Sequence, residues 1–372
     1  MRRENWKYLK FEDAFVDVSK RGKKIPKSNY LSEGRFSIID QGQNYVTGYS
    51  NSSEGLYSDV PALIFGDHTR IIKYVDVPFF LGADGVKLLK SKLSDVDYKF
   101  LYYVLSQLHI IDTGYNRHFK YLKEQIIPLP PLDEQKRIAD VLDKASELIN
   151  KRKEQIRLMD QLPKSLFIEM FGDPVENPMG WERDTLRHLA IRISDGPFGS
   201  NLKSCHYANS GVRVIRLQNI GVGKFLDKDK AFVSYEHYEK IKKYTCTSGD
   251  VIIATLGDPN LRACILHIDL AINKADCVLF RPNKMLVNSE FICSYLNSHS
   301  TLQLALDKIH GQTRLRISMS QVADLPVYLP PIELQQEFAD RIDKVEAEKK
   351  RMQDGLAKME TTYKALMQEY FG

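Results

Sequence analysis

The chain has 372 residues, enough for two or three domains, and its 43% hydrophobic and 27% charged residues are typical of globular proteins. This composition excludes wholesale disorder, collagen-like repeats and a small disulfide-stapled fold. No apolar run approaches the roughly 18 residues of a membrane span, and the first residues lack the apolar stretch of a secretory signal. We therefore expect a cytoplasmic protein that has no contact with a membrane.

The first segment, up to residue 128, predicts a mixed α/β domain. Its short apolar runs, such as 36–39 and 62–65, are separated by Gly, Asn, Asp and Ser, a pattern typical of strands and turns. One helix is predicted late in the segment, over 98–105.

A long helix is predicted next, because Pro130-Pro131 suits a helix start and Gly172 suits a helix end. Its apolar residues keep the alternating spacing of four and three that forms the seam of a coiled coil. Pro163 should kink or loosen the helix near its end. The seam residues are Ile138, Leu142, Ala145, Ile149, Ile156, Met159 and Leu166.

The second segment, 173–328, repeats this plan. Strands are predicted over 212–215 and 250–253, and a helix over 289–296. Each segment also has a tryptophan near its start, Trp6 in the first and Trp181 in the second. The segments are matched halves, each predicted to be mixed α/β.

A second long helix follows at an offset of 200 residues from the first. The stretch 129–135 recurs at 329–335, and about a third of some 44 aligned positions are identical, so the chain is an internal duplication. The seam of this helix holds Phe338, Ile342, Val345, Met352, Leu356, Met359 and Leu366.

The two helices are predicted to pair with each other. The first must run from one domain to the next and the second must return, so the coiled coil should be antiparallel. About 33 residues at 1.5 Å each would hold the domains roughly 50 Å apart. Ordinary amphipathic helices that pack on the domains remain the alternative.

Positive charge is concentrated outside the helices. Residues 132–172 hold eight basic and eight acidic side chains, and 333–372 hold seven and nine, so the helices carry −2 and the two segments about +7 of a net charge of +5. This sign is expected of surfaces that meet phosphates, although any single basic cluster can be an ordinary solvated face. The candidate DNA-binding residues of these clusters are Lys20, Arg21, Lys23, Lys24, His68, Thr69, Arg70, Arg117, Lys120, Arg314 and Arg316.

A glycine-rich loop in the second segment adds further candidates. Backbone N–H groups of a tight loop can hold a phosphate, and Arg, Gln and Asn side chains offer the bidentate hydrogen bonds that distinguish guanine and adenine. A simple turn with surface charges is the alternative interpretation. The candidates are Gly196, Phe198, Gly199, Ser200, Asn201, Lys203, Arg213, Arg216, Gln218 and Asn219.

We find no pattern that predicts catalysis or a metal site. The sequence lacks a phosphate-binding loop with Gly-Lys-Ser/Thr, a Gly-x-Gly-x-x-Gly motif and the Asn/Asp-Pro-Pro-Tyr/Phe tetrapeptide of amino-methyltransferases. The five cysteines form no Cys-x-x-Cys pair, and we expect them to be buried reduced thiols. A nuclease with dispersed carboxylates stays open.

The repeated block resembles the specificity subunits of type I restriction-modification enzymes. The resemblance rests on 128–139 leading into the long helix, on the exit Met170-Phe171-Gly172-Asp173-Pro174 and on the recurrence at the C-terminus. It implies two mixed α/β target recognition domains separated by an antiparallel coiled coil of two long helices, with a pseudo-twofold internal repeat. The implied boundaries are 1–131 for the first recognition domain, 132–172 for the first spacer helix, 173–328 for the second domain and 329–372 for the second helix.

The resemblance also implies partners. In that family each recognition domain reads one half of a split target in double-stranded DNA, and the helices set the gap and dock two methyltransferase subunits, which restriction subunits join. No cofactor is expected in this chain, because S-adenosylmethionine belongs to the methyltransferase partner and ATP with magnesium to the restriction partner. The two domains resemble different types, so they should read different half-sites. A coiled-coil scaffold that does not read DNA and a self-sufficient DNA-modifying enzyme are the alternatives.

Overall fold

The chain forms two compact units, the first made of Met1–Lys153 with Asp354–Gly372 and the second of Glu154–Gln353. The computed structural model describes residues 4–82, 85–114, 116–259, 261–306 and 316–372. Each unit contains one mixed α/β domain and parts of two long helices.

Among its described residues, the first unit begins with nine strands and three short α-helices, followed by the start of a long helix. The strands are β1 (Lys7–Lys10), β2 (Phe15–Asp17), β3 (Phe36–Ile39), β4 (Gly48–Ser50), β5 (Ala62–Gly66), β6 (Ile72–Val75), β7 (Phe79–Leu81), β8 (Val86–Ser91) and β9 (Ile126–Leu129). The helices are α1 (Phe11–Ala14), α2 (Tyr98–Gln107), α3 (Phe119–Lys123) and α4 (Leu132–Met159).

The second unit follows the same plan with eleven strands among its described residues. They are β10 (Glu182–Thr185), β11 (Ala190–Ser194), β12 (Tyr207–Ala208), β13 (Val212–Ile215), β14 (Phe232–Val233), β15 (Thr245–Cys246), β16 (Val251–Ala254), β17 (Arg262–Ile265), β18 (Ala271–Asn273), β19 (Cys277–Pro282) and β20 (Pro326–Leu329). The helices are α5 (Leu162–Phe171), α6 (Leu186–Leu189), α7 (Tyr235–Ile241), α8 (Ser289–Leu296), α9 (His299–Leu306), α10 (Met319–Ala323) and α11 (Ile332–Phe371).

Among the described residues, the four-stranded sheets of the two units correspond strand by strand, whereas the second sheets have three strands in the first unit and five in the second. An antiparallel sheet of order β2-β8-β5-β6 in the first unit matches β11-β19-β16-β17 in the second. A second sheet in each contains one parallel pair, β3 with β7 and β13 with β18. The predictions of a duplication and of two mixed α/β domains are confirmed.

The first and last strands of each domain pair with each other. Lys7 of β1 lies opposite Leu129 of β9, and Glu182 of β10 lies opposite Leu329 of β20, both in antiparallel pairs. Each domain therefore begins and ends at one place, directly before the proline pair that starts a long helix.

The first long helix is broken where the sequence predicts a kink. The helix α4 ends at Met159, and α5 begins at Leu162 with Pro163 in its first turn. Proline lacks the N–H that would continue the α4 hydrogen-bond ladder. The second long helix, α11, runs without a break for 40 residues.

The two long helices pair in opposite directions within each unit. In the first unit, Ile138 and Leu142 near the start of α4 are buried in one core with Met367 near the end of α11. In the second unit, Phe171 at the end of α5 packs on Phe338 near the start of α11, with ring centroids 5.3 Å apart. The two long helices therefore run antiparallel within each unit.

Ion pairs continue this antiparallel arrangement. Lys153 lies 2.8 Å from Glu360 in the first unit, and Lys349 lies 2.7 Å from Asp160 in the second. The predicted seam residues are placed as follows: Ile138, Leu142, Ile149, Leu166, Phe338 and Ile342 are buried, and Ala145, Ile156, Met159, Val345, Met352, Leu356, Met359 and Leu366 are half-buried.

Four of the five cysteines are buried, as expected, and the fifth is exposed. Cys246, Cys264, Cys277 and Cys293 are buried free thiols, whereas Cys205 is exposed. Burial raises the pKa of the Cys246 thiol to about 12, so it stays protonated at neutral pH. The prediction of burial was wrong for Cys205 because it lies in a surface turn, Ser204–His206, between elements.

The contact between a long helix and a domain helix, which we call the joint, pairs opposite charges in the first unit and like charges in the second. In the first, Lys99 of α2 forms an ion pair with Asp143 of α4, and Asp143 also accepts a hydrogen bond of 2.6 Å from the Tyr103 hydroxyl. In the second, Glu290 of α8 is placed close to Asp343 and Glu346 of α11. Burial, with these two carboxylates, raises the pKa of Glu290 to about 7.

The substitution Glu290→Gln should make the second unit less sensitive to pH. Because the folded-state pKa lies above the ordinary value of 4.5, the Glu290 carboxyl makes the chain less stable as the pH rises from about 4.5 to 7. At pH 8 the variant should be more stable than the original chain by roughly 1–3 kcal/mol, and near pH 4 the two should be equal. Unfolding in urea at several pH values measures this difference.

The exposed Glu182 of β10 provides a matched control. Glu182→Gln should follow the original pH profile, and a profile of Glu290→Gln that also coincides with the original would refute the like-charge joint.

Candidate nucleic-acid interface

In the first unit, the turn between β5 and β6 is fixed to the loop that precedes α3. Asp67 is only 3% exposed, and its carboxylate accepts a hydrogen bond of 2.7 Å from the Phe119 N–H. The Asp67 carbonyl oxygen accepts a second one, of 2.8 Å, from the N–H of the buried His118. Two segments that are about 50 residues apart in the sequence thus form one surface.

Arg70 adds a further link between these segments. It adopts a positive φ of 62°, and its guanidinium group lies 2.6 Å from the Asp112 carboxylate and 3.3 Å from the Ile110 carbonyl oxygen. Positive φ is uncommon outside glycine, so the turn holds Arg70 in a defined orientation. The predicted residues His68, Thr69, Arg70, Arg117 and Lys120 are therefore brought together on two adjoining segments.

Exposure differs among these residues. Thr69, Arg117 and Lys120 are exposed, and His68 and Arg70 are half-buried. The Thr69 hydroxyl donates a hydrogen bond of 2.6 Å to the Gln41 carbonyl oxygen. Arg117 and Lys120 are therefore placed where a phosphate can reach them.

The lysine-rich group near the N-terminus contacts a different part of the domain. Lys20, Arg21, Lys23 and Lys24 are all exposed, and the first two lie in the short 3-10 helix Ser19–Arg21. Lys23 forms an ion pair of 3.3 Å with Glu54, and Lys24 forms a β-bridge with Leu81 at the end of β7.

In the second unit, the predicted glycine-rich loop leaves the sheet at Gly196. A Cβ atom at Gly196 would lie 2.3 Å from the Lys274 carbonyl carbon, so no other residue fits without moving backbone. Beyond it, Phe198 is 46% exposed, and Gly199, Ser200, Asn201 and Lys203 are also exposed. The loop presents an apolar ring, polar groups and one cation to solvent.

Two histidine rings in close, tilted contact hold the far side of this loop. The rings of His206 and His237 have centroids 4.0 Å apart. His206 Nδ1 accepts a hydrogen bond of 3.1 Å from the Lys203 N–H, and His237 Nε2 lies 2.9 Å from the Asn201 carbonyl oxygen. Desolvation and the neighbouring His237 lower the pKa of His206, which favours the neutral, accepting ring.

Two of the predicted base-reading residues have a different role. Arg213 is 5% exposed and forms an ion pair of 3.3 Å with Asp227. Asn219 is fully buried, and its amide donates to the carbonyl oxygens of Leu226 and Lys228 at 3.1 and 2.7 Å. The sequence expectation was wrong for both, because a buried side chain that holds the 226–231 loop is not available to a base edge.

Their neighbours remain closer to solvent. Arg216 is half-buried and contacts the carbonyl oxygen of Asp229, while the exposed Gln218 donates 2.9 Å to the Asp229 carboxylate. Arg316 forms an ion pair of 2.7 Å with Asp276, and Arg314 lies outside the described residues.

The sequence analysis did not predict the exposed lysines on and beside the 226–231 loop, which Arg213 and Asn219 hold in place. Lys228 and Lys230 are exposed on the 226–231 loop that Arg213 and Asn219 hold, and Lys224 is exposed just before it. Aspartates alternate with the lysines in 227–230, and Lys230 lies 2.9 Å from Asp227, so a search for positive runs passes over it. The turn signal at 227–230 could have identified the loop but not its anchor.

The described residues contain no group of three or more His, Cys, Asp or Glu side chains that could hold a metal ion. Among the described helices, none is both long and apolar enough to cross a membrane.

Comparison with known proteins identifies the family. Residues 3–158 and 200–356 each match the family described as type I restriction modification DNA specificity domain. The chain belongs to the type I specificity subunits. The resemblance predicted from the repeated block is confirmed.

Individual specificity subunits are distant in sequence. The MjaVIII specificity subunit of Methanocaldococcus jannaschii is 26% identical over 298 residues, covering 72% of this chain and 69% of that protein. The EcoR124I/EcoR124II specificity subunit of Escherichia coli is 22% identical over 356 residues, covering 89% and 84%.

Solved structures share the fold. The S subunit of a type I restriction-modification system from M. genitalium has a TM-score of 0.57 at 18% identity and covers 99% of this chain and 96% of its own. A chain from a structural study of assembly and conformational transition in the type I R-M system has a TM-score of 0.62 at 16% identity, covering 100% and 98%.

The steric role of Gly196 in this specificity subunit gives a testable prediction. Gly196→Ala forces the loop away from the 273–274 backbone, so DNA affinity should fall about 10-fold or more while the domain remains folded. Gly180→Asn is the matched control, because Gly180 lies outside the candidate loops, has a φ of 70°, which asparagine tolerates, and a Cβ at this position would meet no atom within 4 Å. Fluorescence anisotropy with target DNA measures both affinities, and equal affinity in the two variants would contradict a role for the loop.

Proposed function

We propose that this chain selects the DNA target of a type I restriction-modification complex by reading a bipartite sequence in double-stranded DNA. The duplication is the observation that carries the proposal: two domains with one backbone plan each present exposed basic loops. The long helices carry a net charge of −2, so the positive charge belongs to the domains.

The loops of the two domains support different half-sites. In the first domain the candidate surface combines 68–70 with 112–114 and 116–120, and in the second it combines 196–203 with 222–230. These loops share neither sequence nor anchoring contacts, and they leave the matched four-stranded sheets at different places, because 68–70 joins β5 to β6 whereas 196–203 follows β11. Different side chains on equivalent scaffolds should read different bases.

We further propose that the chain positions catalytic partners and does not itself catalyse. Two methyltransferase subunits would dock on the repeated helical region, and restriction subunits would join them. S-adenosylmethionine would be bound by the methyltransferase subunits, and ATP with magnesium by the restriction subunits. The complex would act in the cytoplasm, where its DNA substrate lies.

The paired helices support a second role, which is to set the distance between the two half-sites of the target; we call this the ruler role. Domain boundaries at 1–131, 132–172, 173–328 and 329–372 would leave each recognition domain joined to the helices at the proline pairs. A rigid link between two weak readers raises their joint affinity only when the spacing of the half-sites fits.

Binding should depend strongly on salt. For about six phosphate contacts, affinity should fall roughly 10³-fold between 50 and 200 mM salt. The assay uses the full chain with its methyltransferase partners and compares a library-selected target with a scrambled duplex. A DNA affinity that depends neither on salt concentration nor on DNA sequence would favour a protein-assembly scaffold. Methylation or cleavage of DNA by the purified chain alone would favour a self-sufficient enzyme.

Shortening both helices should shorten the unread gap. Deleting 147–153 together with 354–360 removes one heptad from each helix in the first unit, including both members of the Lys153–Glu360 ion pair. Seven residues are about 10 Å of helix, or about three base pairs, so the preferred gap should shrink by about that amount. Deep sequencing of selected DNA measures gap and half-sites separately. An unchanged gap in a folded variant would rule out the ruler.

A further inference from the structure

The repeated block places one buried glutamine at the start of each long helix. Gln135 is 1% exposed and Gln335 is fully buried, although glutamine is usually a surface residue. The two lie 200 residues apart, at equivalent positions of the duplication.

Each glutamine makes the same pair of hydrogen bonds. The Oε1 atom of Gln135 accepts a bond of 2.9 Å from the Asp97 N–H, and its Nε2 donates 2.8 Å to the Pro130 carbonyl oxygen. Gln335 accepts 2.9 Å from the Asn288 N–H and donates 2.8 Å to the Pro330 carbonyl oxygen. All four partners are backbone groups, so the bonds fix main chain to main chain.

The two residues whose N–H groups bond to the glutamines, Asp97 and Asn288, are the N-caps of the domain helices α2 and α8. The Asp97 side chain accepts from the third residue of α2, and the Asn288 side chain accepts from the second residue of α8. Each glutamine thus joins the first turn of a long helix to the first turn of a helix within the recognition domain. We name these two connections the glutamine clamps.

The domain helices continue the connection to the candidate interface. The helix α2 packs against β5 and β6, whose connecting turn carries His68, Thr69 and Arg70. The helix α8 packs against β16 and β17. Arg262 of β17 donates hydrogen bonds of 2.7 and 3.1 Å to the carbonyl oxygens of Ile220 and Leu217. Leu217 directly follows Arg216, which is one of the candidate DNA-binding residues.

We infer that Gln135 and Gln335 are positioning residues that fix the angle between each long helix and its recognition domain, and so determine how narrowly the protein discriminates the gap between half-sites. This inference rests on the proposed function. A loose joint lets a domain tilt and reach a half-site one base pair nearer or farther, so gap discrimination falls while the bases read stay the same.

The two clamps should not contribute equally. In the first unit, Lys99 and Tyr103 also hold the joint through Asp143. In the second unit, Glu290 instead lies near Asp343 and Glu346, which repel it when it is ionised. Loss of Gln335 should therefore loosen its joint more than loss of Gln135.

The test compares Gln335→Met and Gln135→Met in the full chain with its methyltransferase partners. Methionine keeps the volume but leaves a buried backbone N–H without its acceptor. The measured quantity is the ratio of affinities for the preferred gap and for a gap one base pair longer. We expect this ratio to fall about 3- to 10-fold for Gln335→Met and less for Gln135→Met, with unchanged half-site sequences.

Two further variants separate positioning from stability. Gln353→Met replaces an exposed glutamine of α11 and should keep the original ratio. Gln335→Glu keeps the acceptor for the Asn288 N–H and should partly restore gap discrimination relative to Gln335→Met. If Gln335→Met does not fold, Gln135→Met, whose joint retains the Asp143 contacts, still tests the clamp.

The outcomes distinguish the clamps from the proposed function. If the original chain selects no bipartite sequence, the proposed function fails. If it selects one and the folded Gln335→Met and Gln135→Met variants keep the original gap profile, the clamp inference alone is overturned. A change in the half-site bases would likewise overturn it, because a positioning residue does not read them.

Discussion

The structure depends on one constraint: the apolar edge of each long helix is buried in the same core as the recognition domain that it adjoins. In the first unit Ile138 and Leu142 share a core with Phe100 of α2, and in the second Phe338 shares one with Phe171 and Phe291. Neither helix can leave its place without opening a domain core. The helices are therefore fixed parts of each unit.

The duplication separates what must stay constant from what can vary. The four-stranded sheets and the terminal strand pairs correspond between the units, because they carry the helices, whereas the second sheets and the candidate loops differ. The Asp67 carboxylate anchors the first surface, and Arg213 with Asn219 anchors the second. Buried polar side chains of this kind hold irregular backbone in one conformation, since each would be costly to leave unpaired. The exposed cations nearby are thereby held in defined positions.

The joints show how equivalent positions can have different charge chemistry. A lysine on α2 attracts Asp143, and the glutamate at the corresponding place on α8 is repelled by Asp343 and Glu346. The backbone-directed bonds of Gln135 and Gln335 are the same in both. Because these bonds do not depend on ionisation, the geometry of the joint is kept where the surrounding charges are unfavourable.

The sequence by itself determined the duplication, the two long helices with their break near Pro163, the strands β3 and β13 and the helix α8, because period, proline and repeated letters are local signals. It also indicated which loops carry positive charge. Only the tertiary structure decided that Arg213 and Asn219 are buried anchors, that the turn at Asp67 bonds to His118, and that Cys205 is exposed. Burial and pairing between distant segments depend on how the sheets bring those segments together, and no spacing along the chain encodes that.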